Sequence, residues 1–236
     1  MEQDHEQEIT RDEIKKEFQL ERMILFSDAV FAIVITLMAM EIKIPESETK
    51  LTIITLPTIL LHLLPMVFAY CVSFIFIGAI WYNHLKIFSI LKDYDKGLVV
   101  RNLLLLFFIG LFPFCASVIT RAKSNVIAFF MYLGIILCCM IAQYFLYHYI
   151  VVTRPALRVN ADIEEHKAEL YKRKISLIGF VMITVLIAVT YILIPNPELK
   201  TLSSLWMIAF SFFYRIMTKK KVKKNVVAVI ETQSQN

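Results

Sequence analysis

Arg22-Met-Ile-Leu-Phe26-Ser27-Asp28-Ala-Val-Phe-Ala-Ile33-Val-Ile-Thr36-Leu37-Met-Ala-Met40 is the stretch whose reading decides the fold. It is apolar over nearly the length a helix needs to cross a bilayer, roughly 20 residues. Yet its first two turns carry an arginine, a serine and an aspartate. An ionisable group at the centre of a membrane helix costs about 2.5–3.5 kcal/mol on insertion scales, so such a group faces protein or water rather than lipid. The segment therefore has one side that must be covered by polar partners and one side that need not be.

The rest of the chain is of the same kind. Hydrophobic residues make up 58% of its 236 residues, a membrane composition. Six spans are predicted, at roughly 23–44, 54–82, 101–120, 126–150, 175–194 and 200–218. The fold class expected is all-α: a polytopic membrane protein of six helices per subunit. Pro57 and Pro65 make the start and tilt of the second span uncertain, because proline inside a helix bends it. The connection 151–174 is charged and expected to be helical in part.

Three regions follow from this: a tail at 1–21, a six-helix domain at 22–218 and a basic tail at 219–236. The first tail is rich in acids (Glu2, Asp4, Glu6, Glu8) and poor in hydrophobes, so disorder is expected there. No removable signal peptide is expected, and the first span itself should direct insertion.

Basic residues orient the spans. With six crossings, 20 of the 25 Lys and Arg fall on the side of the two termini. The other side receives Lys43, Lys50, Arg121, Lys123 and Lys200. Basic loops stay in the cytoplasm, so both termini are expected there, in a multi-pass protein of the cell membrane. The cluster Lys219–Lys224 reads as an anchor for the last span, with anionic lipid as the other reading. No nucleic-acid partner is implied.

Catalytic chemistry has little support. The cysteines (Cys71, Cys115, Cys138, Cys139) lie inside spans without metal-site or redox spacing. The histidines (His5, His62, His84, His148, His166) are dispersed, and no nucleophile elbow, zinc motif or phosphate loop is present. Neither an enzyme nor a cofactor is expected.

Around the first helix, at ~100° per residue, Ile33, Leu37 and Met40 fall within about 60° of one another. Asp28 lies about 140° from Ile33 on one side and Ser27 about 120° on the other, while Thr36 sits about 60° off the stripe. A bulky apolar stripe thus stands opposite a short polar patch. Trp81, Asn83 and His84, at the same end of the second span, are the donors expected to satisfy Asp28.

Arg22-x-x-x-Phe26-Ser27-Asp28 resembles the signature that opens the first span of the transmembrane protein 175 family of potassium channels. Trp81-Tyr-Asn-His84-Leu-Lys-Ile-Phe88 resembles its tryptophan–histidine element, with Leu85 where many members have a second histidine. The layout is that of a single-repeat prokaryotic member. The resemblance implies a homotetramer in which the first span lines a central pathway for potassium ions. It implies a constriction at Ile33 with further apolar layers at Leu37 and Met40, and a selectivity-linked hydroxyl at Thr36. It also implies a packing network of Arg22, Phe26, Ser27, Asp28, Trp81 and His84.

The residues are consistent with that implication. A narrow apolar ring gates by excluding continuous water. A carbonyl-lined filter needs glycine-bearing loops, and the five glycines (Gly78, Gly97, Gly110, Gly134, Gly179) stand isolated. Glu41, Glu46 and Glu48 near the outer mouth read either as a solvated loop or as cation-concentrating charges. Two alternatives stay open: a proton-coupled transporter with Asp28 as carrier, and a non-conducting membrane interaction protein binding lipids and its own copies.

Overall fold

Neither glycine nor proline occurs in the first 44 residues, and a computed structural model of the chain places 38 of them in one long helix, α1, Glu2–Ala39. The structure describes residues 2–43, 56–121, 126–159 and 163–193, residues 2–13 by backbone alone. Residues 2–21, for which composition favours disorder, form the first part of that helix in the structure. Glu, Gln, Lys, Arg and Leu are good helix formers, and the tail continues a helix already nucleated by the span.

Among the described residues the remaining α-helices are α2 (Leu56–Phe88), α3 (Lys96–Gly110), α4 (Phe112–Arg121), α5 (Val126–His148) and α6 (Ile163–Leu193). Among the described residues, five helical stretches are long and apolar enough to cross a membrane, the third being α3 and α4 taken together. The predicted sixth span, 200–218, and the basic tail lie outside the described residues. α2 continues through Pro57 and Pro65, its start being compatible with a proline in the first turn. The third span is interrupted instead, at Leu111. Pro113 has no N–H to offer the preceding turn, and the chain tightens there, with the Leu111 N–H reaching Phe108 O at 3.2 Å.

The chain divides into residues 1–163 and 164–236. In the first unit α1 packs against α2, α3 and α4, and α5 packs against α3 and α4. α1 buries Leu20, Ser27, Phe31, Val34 and Met38, a helical stripe on one face. α3 contributes Leu98, Leu105 and Ile109 to the same core, all fully buried. Polar links stitch the apolar layers: Ser73 pairs with the Tyr132 hydroxyl, and Gln143 Nε2 donates to the Ile80 carbonyl at 3.0 Å.

At the end of α2 the chain makes a short connection to α3 that pairs with the segment following α5. Lys92 N–H donates to Leu157 O and Val159 N–H to Ile90 O, both at 2.9 Å, around the bridge Leu91–Arg158. Between α5 and that pairing lies one π-helical turn, Tyr149–Thr153, and a 3₁₀ turn, Pro155–Leu157. In the second unit, α6 begins with ion pairs Lys167–Glu164 (3.0 Å) and Arg173–Glu169 (3.6 Å) and continues into its apolar half. Residues 164–174 of the predicted connection thus form the opening of the span helix itself.

Candidate functional site

The two faces of α1 have different fates. Ser27 is fully buried and Asp28 half-buried, while Ile33 is 56% exposed and Leu37, Met40 and Thr36 are exposed beside it. Exposure alone does not distinguish a pore from lipid, since α2, α3 and α6 also expose large apolar side chains. What distinguishes α1 is how its buried face is held.

Trp81 Nε1 of α2 donates to Asp28 Oδ1 at 2.8 Å. The polar patch therefore has the indole partner expected from the sequence. His84 goes elsewhere. Its Nε2 lies 2.9 Å from Asn102 Oδ1 of α3, and Asn102 Nδ2 donates to Ser27 Oγ at 2.8 Å. Ser27 in turn donates its hydroxyl hydrogen to the Met23 carbonyl at 2.8 Å. One set of directions satisfies this chain: the serine oxygen accepts from the amide, so the amide oxygen accepts from His84 Nε2–H. His84 Nδ1 is left buried without a partner. The imidazole stacks on Phe88 with ring centroids 4.1 Å apart and tilts against Phe31 at 5.6 Å.

Asn102 is the member that the sequence reading missed. Its signal was present: an amide in an apolar span, one residue from Arg101, needs a partner as Asp28 does. No periodicity tells which partner, because Asn102 is 75 residues from Ser27 and 18 from His84.

Arg22 and Phe26 are placed apart from this network. Phe26 is 53% exposed, and the Arg22 guanidinium lies 6.0 Å over the Phe18 ring. Around the helix, Phe26 and Arg22 each lie about 20° from Ile33 or less, on the exposed stripe rather than the buried one. The signature thus splits into Ser27 and Asp28 facing inward and Arg22 and Phe26 facing outward.

Thr36 has a specific local geometry. Its Oγ1–H donates to the Ile33 carbonyl at 2.8 Å, so the exposed oxygen has only lone pairs left to offer. Among the described residues no group of three His, Cys, Asp or Glu side chains is placed to hold a metal ion.

Comparison with known proteins bears on this arrangement. The model of a family described as the endosomal/lysosomal potassium channel TMEM175 matches residues 22–113, which include α1, the Trp81–His84 element and Asn102. A potassium channel of Chryseobacterium sp. (strain P1-3) is 30% identical over 163 residues, 68% of this chain and 79% of the relative. A potassium channel of Chamaesiphon minutus is 34% identical over 148 residues, 61% of this chain and 72% of the relative. The crystal structure of a lysosomal potassium-selective channel TMEM175 homolog from Chamaesiphon minutus superposes with a TM-score of 0.64 at 26% identity, covering 84% of this chain and 97% of that one. With a polar face on α1 held from α2 and α3, and with relatives matched over most of their length, this chain belongs to the TMEM175 family.

Proposed function

We propose that the protein is a potassium channel in which four copies bring their α1 helices around a central pathway, passing ions down their gradient. The observation that carries this is the division of α1. Ser27 and Asp28 find their partners inside the subunit, while Ile33, Thr36, Leu37 and Met40 are left exposed on the opposite side. The relatives' description as potassium channels supports the choice of ion.

On this reading Ile33 is the narrowest layer, with Leu37 and Met40 continuing the apolar lining. Such a ring holds no continuous water until it widens, which is a gate. Aliphatic groups cannot coordinate an ion, so preference for potassium over sodium comes from the lower dehydration cost of the larger ion, assisted by the Thr36 oxygen. Six spans per subunit, both termini in the cytoplasm and a place in the cell membrane complete the proposal.

The test is potassium and sodium flux in proteoliposomes for the wild type and Ile33→Asn. A polar layer in place of the apolar one should raise flux by about tenfold, the effect of a barrier lowered by ~1.4 kcal/mol. Background flux in both proteins would sink the pore assignment, and flux strictly coupled to a proton gradient would favour transport through Asp28.

A further inference from the structure

Away from the polar patch, at the start of α3, a second set of polar groups converges on Tyr149, a residue to which the channel reading gives no task. Asp95 caps α3: its Oδ1 accepts the Leu98 N–H at 2.7 Å. Its Oδ2 accepts the Tyr149 hydroxyl at 2.6 Å, and Arg154 Nε stands 3.7 Å from the same oxygen. The Arg101 guanidinium lies 3.8 Å above the Tyr149 ring and also donates to the Gly97 carbonyl at 2.9 Å. A methyl group at Gly97 would collide with the Tyr149 hydroxyl, so the absence of a side chain there is what lets the phenol reach the cap. The ring is gripped by a carboxylate, a guanidinium and bare backbone.

Two local devices deliver Tyr149 to that place. α5 ends at His148, and the next turn is π-helical, closed by Arg154 N–H to Tyr149 O at 2.8 Å. A π turn inserts one extra residue and re-aims the side chains that follow it. The backbone pairing of Lys92 and Val159 with Leu157 and Ile90 then ties the two loops together.

α3 links this clasp to α1. Asn102 lies seven residues beyond Asp95 on an unbroken helix, about 10 Å or two turns along its axis. Its amide must meet Ser27 and His84 at 2.8 and 2.9 Å together. Such bonds weaken steeply once stretched beyond about 3.2 Å or misaligned, so a small slide or rotation of α3 at its start is felt at Ser27. We infer that Tyr149 is a positioning residue for conduction: by locking the start of α3 through Asp95, it sets where Asn102 holds the pore helix. This inference rests on the reading of α1 as the pore helix.

The experiment is a double-mutant cycle on potassium flux per reconstituted protein, using Tyr149→Phe, Asn102→Ala and both together. Tyr149→Phe removes one hydroxyl and keeps the ring, so the fold should survive. Its flux is expected to fall about tenfold, ~1.4 kcal/mol. In the Asn102→Ala background the same change should alter flux less than about twofold, because the link it acts through is already gone. Gly97→Ala, which displaces the hydroxyl by collision, should reproduce the Tyr149→Phe effect and its dependence on Asn102.

Unchanged flux in Tyr149→Phe overturns the inference. So does an equal loss in both backgrounds, which would mean a purely local contribution to stability. Amide hydrogen exchange of α1 around Ser27, read on the same proteins, should rise in Tyr149→Phe and not rise further in the double variant. A wild type without flux would refute the channel reading, while the exchange measurement would still decide the coupling; unaltered exchange in Tyr149→Phe would refute that too.

Discussion

Asn102 is where a single side chain has the most to lose. It gives one hydrogen bond and receives another between buried groups, so truncating it orphans His84 Nε2 and takes from Ser27 Oγ the bond it accepts, leaving that hydroxyl only its bond to the Met23 carbonyl. An orphaned buried polar group costs about 1–3 kcal/mol. Asn102→Ala should therefore cost about 2–4 kcal/mol, read as a fall in melting temperature in detergent. Asp28→Asn should be milder than its place in a span suggests, since an amide oxygen can still accept the Trp81 indole N–H. Thr36→Val belongs to the same scale. It is nearly isosteric and removes the exposed oxygen, so reversal potentials should show a reduced preference for potassium with conductance retained. Unaltered selectivity would leave dehydration at the apolar ring as its whole basis.

At the scale of the element, α1 shows how one helix serves two environments. Leu20, Ser27, Phe31, Val34 and Met38 recur at helical spacing on the buried face, and the exposed side chains fill the opposite stripe. The helical wheel made that division legible in advance. It equally placed Phe26 and Arg22 near Ile33, which grouping them by motif obscured. The break in the third span has a one-residue cause in Pro113, whereas Pro57 and Pro65 leave α2 continuous.

The start of α3 carries its own prediction. Burial pushes the Asp95 carboxyl up, but the Tyr149 hydroxyl, the Leu98 N–H, Arg154 and Arg101 together outweigh it and hold the group below its ordinary value. A carboxyl depressed in the folded state stabilises the fold above its ordinary value, and that contribution disappears as pH falls through the depressed one. Melting temperature should thus drop on acidification below about pH 4. Asp95→Asn, already without the charge, should melt lower at neutral pH and lose less on acidification.

For the whole molecule, the testable claim is that α1 meets copies of itself. In a background without the four native cysteines, Ile33→Cys should cross-link subunits on oxidation. Met38→Cys, on the face packed inside the subunit, should not. Native mass measurement should give four chains. Cross-linking at position 38 and none at 33 would reverse the assignment of the two faces.

The sequence by itself determined the membrane class, the all-α fold and the asymmetry of the first span, because hydropathy, basic-residue placement and helical period are local properties. The family signature, too, is short and contiguous. What only the tertiary structure decided is which groups share a bond: that His84 turns to Asn102 while Trp81 takes Asp28, and that Tyr149 reaches the cap of α3. These partners lie between 18 and 54 residues apart along the chain. Buried polar groups must find a partner, but which one they find depends on how the helices pack, and no pattern along a single helix carries that information.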